Sequence, residues 1–319
     1  MAAFTNRVVS TNGIRMAVRD EGRGPAVVLC HGFPELAYSW RFQVPALVEA
    51  GYRVLVPEQR GYGDTDRPDD VGTYDIHHLT GDLAGLLDAC GIERAVFVGH
   101  DWGGLVTWQM PLLHPARTAG VVGVNTPYLP RGPMPPVQMI RAVFGDNHYI
   151  VHFQQPGVAD AGLAKDVRRV FTQLMRRGVP LADVEAAMVA RGGMPNMVEM
   201  VEEERHLGEP LLSEAALQPY VETFARTGFT GGLNWYRNMD RNWETTPQLD
   251  GARIGVPSLM IMAEWDAALR PELAAPMRGL VDDLEMHQIP RCGHWTQQEY
   301  PDELNRLLVD WLRRRFPLA

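Results

Sequence analysis

The sequence predicts an α/β protein: a mostly parallel sheet with helices on both faces, interrupted by an inserted helical lid. Three observations predict this fold. Short apolar runs alternate with helical segments up to about residue 127, which is typical of a parallel sheet. Residues 138–243 are then helical and rich in Met, with no clear buried strand. Strand-like runs return at residues 256–262 and 284–289.

This change of character divides the chain into two predicted parts. Residues 1–129 and 247–319 form the α/β core, and residues 130–246 form the lid, which opens with the Pro-rich stretch 130–136. Open α/β sheets bind ligands at the carboxyl ends of their strands. We therefore expect the lid to cover that edge of the sheet.

The first elements of the core follow from local patterns. Residues 8–18 are predicted to form a hairpin, because Asn12-Gly13 separates two alternating runs. Residues 26–30 are continuously apolar, as expected for a strand that is buried on both faces. Further along we predict a strand at residues 53–57 and helices at residues 40–50 and 76–89, both closed by Gly.

The later core elements follow in the same way. Residues 96–98 form a strand that leads into a helix, and Pro111 should kink or end that helix. The remaining predicted elements are buried strands at 120–125, 256–262 and 284–289 and an amphipathic helix at 299–316.

Composition limits the partners of the protein. The net charge is −9 and the sequence pI is about 5.6, which argues against binding to nucleic acid or to an anionic membrane. No apolar run has the length of a transmembrane helix, and residues 1–7 lack the apolar core of a signal peptide. The three cysteines are far apart and indicate neither a disulfide framework nor a zinc site. We expect a cytoplasmic protein; a homodimer remains open.

The central motif is Gly99-His100-Asp101-Trp102-Gly103, which joins a predicted strand to a predicted helix. Glycines permit a tight turn, and the following helix N-terminus favours a negative charge at its tip. A carboxylate at this tip needs no base to activate it and is suited to attack on a saturated carbon. Asp101 is thus a candidate nucleophile. Since Asp is also a common N-cap residue, this motif alone leaves a capping role open.

Two later loops complete a set of catalytic candidates. His294 follows the last predicted strand and is the candidate base, and Asp266, after the strand at 256–262, is the candidate acid that orients it. Glu264 is a competing acid two residues nearer the strand. We interpret His31 and His100, which flank the site, as supporting hydrogen-bond partners and not as bases.

Together these motifs resemble the soluble epoxide hydrolases of the α/β-hydrolase fold over nearly the whole chain. The resemblance rests on the following segments: His31 to Glu35, Gly99 to Gly104, Asn125 to Pro127, Gly293 to Trp295, Phe153 to Gly157 and Gly231 to Arg237. It implies an oxyanion hole made of the backbone N–H groups of Phe33 and Trp102. It also implies two lid tyrosines that bind the epoxide oxygen. By motif match these are Tyr149 and Tyr236, with Tyr128 and Tyr220 as weaker candidates.

The resemblance implies hydrolysis of an epoxide to a vicinal diol through an ester on Asp101. The substrate-binding residues would be Tyr149, Tyr236, Trp102 and Phe33. Epoxide and water are the expected reactants, and neither a metal nor an organic cofactor is expected. One local departure is Trp265, where relatives usually have Lys before the acid; the acid Asp266 itself is retained.

Other functions use the same motifs. A haloalkane or fluoroacetate dehalogenase shares the Asp nucleophile and binds halide with indole N–H groups, for which Trp102, Trp40, Trp235 or Trp265 are candidates. A non-catalytic ligand receptor would lack a triad residue, and an esterase would carry Ser at position 101. The sequence favours the epoxide hydrolase and does not identify the epoxide.

Overall fold

One eight-stranded sheet forms the centre of the computed structural model, which describes residues 6–193, 195–204 and 207–318. Its strands are β1 Asn6–Thr11, β2 Ile14–Glu21, β3 Ala26–Cys30, β4 Arg53–Pro57, β5 Ala95–His100, β6 Thr118–Val124, β7 Ser258–Ala263 and β8 Leu284–Ile289. They lie in the order β1-β2-β4-β3-β5-β6-β7-β8. Residues 1–5, part of the segment in which we looked for a signal peptide, lie outside the described residues.

The sheet is mostly parallel, as predicted. Strands β3 to β8 pair in parallel, whereas β1 pairs antiparallel with β2, and β2 antiparallel with β4. The predicted hairpin at residues 8–18 is confirmed. Asn12 and Gly13 form its turn with φ values of 43° and 79°, the left-handed conformation that such two-residue turns require.

Helices follow most strands of the core and fill the segment between β6 and β7. They are α1 Gln43–Glu49, α2 Ile76–Ala89, α3 Trp102–Leu113, α4 Pro136–Phe144, α5 Tyr149–His152, α6 Val158–Ala164, α7 Val167–Leu174, α8 Leu181–Arg191, α9 Met197–Glu202, α10 Glu214–Thr227, α11 Thr230–Arg237, α12 Met239–Thr245, α13 Thr296–Glu299 and α14 Pro301–Arg315. Short 3₁₀ turns lie at Ala37–Trp40, Val71–Tyr74, Pro115–Arg117, Pro247–Leu249 and Pro271–Gly279.

Several predicted boundaries differ from the structure. The helix expected at residues 40–50 is a 3₁₀ turn ending at Trp40 and then α1. The helix expected at 299–316 is α14, which begins at Pro301 and ends at Arg315, whereas Glu299 is the last residue of the short helix α13. Pro111 lies inside α3, which ends two residues later at Leu113.

The two faces of the sheet carry separate apolar cores. Along β3, Val28 and Cys30 pack on one face in a cluster that also includes Leu83 of α2 and Val106 of α3. Val27 lies on the other face, in a cluster that includes α1 and α14 side chains. This alternation explains why β3 is apolar at every position.

The inserted helices contact the carboxyl edge of the sheet. Phe33, directly after β3, packs edge-to-face on Phe153 at 5.8 Å and on Phe229 at 6.4 Å between ring centroids. The indole of Trp235 in α11 donates to the carbonyl of Arg60 at 3.0 Å. The boundaries of the lid at residues 130 and 246 remain a prediction. Of the helices in the described part of the chain, none combines the length and the apolar character that crossing a membrane requires.

Candidate active site

Asp101 occupies a sterically crowded turn between β5 and α3. Its φ is 51°, which is uncommon for a residue with a side chain. A Cβ on Gly99 would overlap the backbone carbonyl of Gly103, and a Cβ on Gly103 would overlap that of Cys30. The glycines that we singled out in the sequence therefore allow β5, the turn and α3 to approach each other closely.

The side chain of Asp101 does not cap α3. Its Oδ1 instead accepts a hydrogen bond from the backbone N–H of Phe33 at 2.7 Å. The hydroxyl of Thr126 donates to the Asp101 carbonyl at 2.9 Å and holds the turn from the end of β6. Trp102 is the first residue of α3, where N–H groups have no partner within the helix.

His294 and Asp266 lie beside this carboxylate. Nδ1 of His294 is 2.9 Å from Oδ2 of Asp266, and Nε2 of His294 is 3.8 Å from Oδ2 of Asp101. The competing acid, Glu264, accepts instead from the backbone N–H of Arg291 at 2.6 Å. The structure thus brings together the three residues of the predicted triad, with Asp266 in contact with the imidazole.

Electrostatics couple these groups. Burial alone would raise the pKa of Asp266, but the charge and hydrogen bond of His294, together with the amide of Asn125 and the N–H of Leu269, hold this pKa well below its ordinary value. Burial would lower the pKa of His294. The charge and hydrogen bond of Asp266, and then the charge of Asp101, outweigh it and raise the pKa to about 9. The imidazole is therefore protonated at neutral pH.

The two predicted tyrosines lie beside each other, and one of them packs on the residues that flank the carboxylate. The rings of Tyr149 and Tyr236 are 6.0 Å apart between centroids, and Tyr236 packs on Trp102 at 5.0 Å and on Phe33 at 5.4 Å. Burial, and next the charge of Asp101, raise the pKa of both phenols well above its ordinary value. Both hydroxyls are therefore protonated at neutral pH and lie within the electrostatic field of the carboxylate.

Open space adjoins the reactive atoms. The side chains of Asp101 and His294 are 17% and 19% exposed, although Phe33, Trp102 and Tyr236 around them are buried. Water-sized molecules can thus contact both the carboxylate and the imidazole.

Comparisons with known proteins give the family. Residues 25–301 match the model of the alpha/beta hydrolase fold. The chain is 48% identical to epoxide hydrolase A of Mycobacterium tuberculosis, over 98% of each protein. It is 41% identical to bifunctional epoxide hydrolase 2 of Sus scrofa over 94% of its own length, and it spans 53% of that protein. The crystal structure of epoxide hydrolase A from Mycobacterium thermoresistibile is 44% identical and covers 98% of both chains with a TM-score of 0.89. The chain belongs to the epoxide hydrolase family of the α/β-hydrolase fold.

This membership confirms the predicted fold, family and enzyme class. In this epoxide hydrolase the weaker tyrosine candidates have partners elsewhere. The hydroxyl of Tyr128 donates to the carbonyl of Ala252 at 3.1 Å. The hydroxyl of Tyr220 lies 2.8 Å from that of Ser39 and donates to Gln298 at 3.2 Å.

A supporting residue of this epoxide hydrolase that the sequence interpretation missed is Asn125. Its side-chain amide donates to Asp266 Oδ2 at 2.7 Å and to the carbonyl of His294 at 3.1 Å, and its carbonyl accepts from Thr296 at 2.7 Å. It thereby connects the end of β6 to the loops after β7 and β8. The available signal was a buried strand that ends in Asn-Thr-Pro, which we used only as part of the resemblance.

A second residue that the sequence interpretation missed is the buried Glu35. Glu35 accepts from the backbone N–H of Gly32 at 3.0 Å and from the amide of Gln297 at 2.7 Å. His100 contacts Glu35 at 2.8 Å through Nδ1 and the carbonyl of His294 at 2.7 Å through Nε2. His100 is thus a buried hydrogen-bond partner, as predicted.

His31 also matches its predicted supporting position. It is buried, and burial lowers its pKa to about 4, so the ring is neutral. Its Nε2 accepts from the backbone N–H of Gln59 at 3.2 Å. Within the described residues, no group of three or more His, Cys, Asp and Glu side chains could hold a metal ion.

Proposed function

We propose that the protein adds water to an epoxide and releases a vicinal diol, through an ester formed on Asp101. One observation carries this proposal. The carboxylate of Asp101, at a tight turn, is accessible to water beside His294. Two protonated phenols, Tyr149 and Tyr236, lie within the electrostatic field of this carboxylate. A nucleophile, an acid for the oxygen and a base for water are the three groups that this reaction needs.

In the first proposed step, Oδ2 of Asp101 attacks a carbon of the epoxide ring. Oδ1 is held by the N–H of Phe33, which leaves Oδ2 as the attacking atom. The C–O bond of the ring breaks, and Tyr149 or Tyr236 gives a proton to the oxygen that leaves. Two phenols that meet on one oxygen also hold the ring in line with the carboxylate, which lowers the entropic cost.

In the second step, Nε2 of His294 takes a proton from water, and the resulting hydroxide attacks the ester carbonyl. The negative charge then develops on Oδ1, and the N–H groups of Phe33 and Trp102 stabilise it. Collapse expels the diol as its alkoxide, which takes the proton left on the added oxygen and so restores the carboxylate of Asp101. The imidazolium releases a proton that returns to the phenolate left by the first step. Ester formation removes the negative charge of Asp101, which is one of the causes that raise the His294 pKa. Its removal lowers the pKa of His294 and favours the neutral imidazole, the form that can take a proton from water.

Trapping the ester tests this sequence of steps. We expect His294→Gln to accumulate protein whose mass is increased by that of the epoxide, because alkylation proceeds and hydrolysis stops. His287→Gln, at an exposed position of β8, is the matched control and should leave turnover unchanged. Asp101→Ala should yield neither adduct nor diol. Substantial turnover by Asp101→Ala, or no adduct on His294→Gln, would refute the assignments.

The dehalogenase alternative requires indole N–H groups for halide. The indole of Trp235 donates to the carbonyl of Arg60. Trp40 is buried in the core on the face of the sheet that α1 and α14 cover. Trp102 and Trp265 stay candidates for halide binding, and we favour epoxide opening because two phenols lie in the field of Asp101. Halide release from a chloroalkane, with no diol formed from a panel of epoxides, would reverse this choice.

The proposed reaction needs only the epoxide, water and side chains of this chain. We further propose that the protein works in a reducing compartment such as the cytoplasm, because its three cysteines are distant in sequence and are present as free thiols. A homodimer stays an open prediction.

A further inference from the structure

Two polar side chains cross between the segments that carry Tyr149 and Tyr236. The amide of Gln154 donates to the carbonyl of Ile150 at 2.9 Å, within its own segment. It also donates to the backbone carbonyl of Tyr236 at 3.1 Å. One side chain thus joins the neighbour of the first tyrosine to the backbone of the second.

The second connection starts from the segment of Tyr236 and reaches the segment of Tyr149. Arg237, next to Tyr236, donates from Nε to the carbonyl of Phe153 at 3.0 Å. Its guanidinium also forms an ion pair of 2.5 Å with Asp160 of α6 and donates to Asn234 at 2.8 Å. The side chains of Arg237 and Asp160 are only 7% and 15% exposed, so solvent does little to weaken this pair.

Asp160 is itself fixed in place. Its carboxylate accepts from the backbone N–H of Gly157, the N-cap residue of α6, at 3.1 Å. Although burial opposes ionisation, the hydrogen bonds and charge that Arg237 contributes lower the pKa of Asp160. The pair is therefore charged at neutral pH and anchors α11 to α6.

We propose that Gln154, Arg237 and Asp160 form a tyrosine clamp, whose function is to set the separation of the two phenols that act on the epoxide oxygen. This inference rests on the proposed function of Tyr149 and Tyr236. Two donors can share one oxygen only at a defined separation, and a displacement of about 1 Å can cost roughly 100-fold in rate. The clamp residues are positioning residues, because they act through the phenols.

The clamp makes a prediction that is specific to one step of the reaction. Gln154→Leu removes both amide hydrogen bonds and should slow alkylation about 10- to 100-fold in single-turnover experiments. Hydrolysis of the preformed ester depends on His294 and should keep its rate. Gln155→Leu, an exposed neighbour, is the matched control and should change neither rate.

A second variant guards against simple misfolding. Arg237→Lys keeps a positive charge toward Asp160 but loses the guanidinium fork that also contacts Phe153. It should slow alkylation less than Arg237→Met does, with ester hydrolysis again unchanged. A proportional loss of both steps in Gln154→Leu and Arg237→Lys would indicate a structural role and overturn the clamp.

Parallel measurement of Tyr236→Phe distinguishes failure of the clamp from failure of the proposed role of the phenols. If Tyr236→Phe slows alkylation and the clamp variants do not, the clamp proposal alone fails. If Tyr236→Phe leaves alkylation unchanged, the proposed role of the phenols fails and the clamp loses its function. Slower alkylation in both, with normal hydrolysis, supports the clamp.

Discussion

The variant Asp266→Asn probes a buried carboxylate that has four hydrogen-bond partners. Oδ2 of Asp266 lies 2.9 Å from Nδ1 of His294 and accepts from Asn125 at 2.7 Å, while Oδ1 accepts from the N–H groups of Ala268 and Leu269 at 2.9 Å each. In the Asn variant the side-chain carbonyl oxygen can still accept hydrogen bonds from the backbone N–H groups of Ala268 and Leu269. The new NH₂ group then faces two donors where the protein had an acceptor.

The imidazole must respond by changing its tautomer. With an NH₂ group beside it, Nδ1 of His294 becomes the acceptor, so the proton moves to Nε2, the atom that should accept a proton from water. A wrong tautomer of this kind costs roughly 10⁴-fold in catalytic rate, or about 5 kcal/mol of transition-state stabilisation. Loss of the Asp266 charge also removes the largest cause that raises the His294 pKa.

The cost in stability should be smaller. A buried donor that loses its acceptor costs about 1–3 kcal/mol. Asn125 retains the carbonyls of Gly293 and His294 as acceptors at 3.3 Å and 3.1 Å, which favours the lower end. We expect Asp266→Asn to fold, with the free energy of unfolding reduced by about 1 kcal/mol in denaturant titration.

Rapid-quench kinetics with mass spectrometry distinguish the steps. The ester on Asp101 should form in Asp266→Asn and accumulate, because only its hydrolysis needs the base. Glu264→Gln removes the carboxylate that contacts Arg291 instead and is the matched control, with turnover expected to be normal. Turnover of Asp266→Asn within tenfold of the unaltered protein, or a strong defect in Glu264→Gln, would refute the reasoning.

Two further predictions concern pH and stability. The pKa of His294 is raised to about 9 partly by the charge of Asp101, which esterification removes; single-turnover hydrolysis of the ester should therefore rise with pH and level off, with a midpoint below about 9. A rate that falls between pH 6 and pH 9 would contradict this sign. The buried hydroxyl of Tyr62 has no hydrogen-bond partner among the described residues, so Tyr62→Phe should raise the free energy of unfolding by about 1 kcal/mol. A decrease of that size in a urea titration would mean that the hydroxyl has a partner.

The fold could largely be predicted because its signals are local. The Asn12-Gly13 turn and the continuously apolar β3 depend on neighbours in sequence. The errors lie at helix ends. Residues 40–50 and 299–316 each have helical periodicity, yet the α-helices begin later than predicted, at Gln43 and at Pro301. Periodicity reports which face is apolar, and it does not report where backbone hydrogen bonding stops.

The candidate site was predictable in its parts and not in its contacts. Glu264 and Asp266 both follow β7, and only the course of that loop directs one of them to His294. Tyr220 and Tyr236 are both buried lid tyrosines. Their partners are set by helix packing, which a residue pattern does not record.

The sequence by itself determined the succession of strands and helices along the chain and the tight turn that presents Asp101, because glycine sterics and hydrophobic alternation act between near neighbours. Tertiary structure alone decided which carboxylate contacts the imidazole, which phenols lie in the field of Asp101, and that Gln154 and Arg237 cross between their segments. These contacts join residues that are tens to hundreds of positions apart. The register of the sheet and the packing of the inserted helices determine these contacts. Neither can be predicted from a single segment of the sequence.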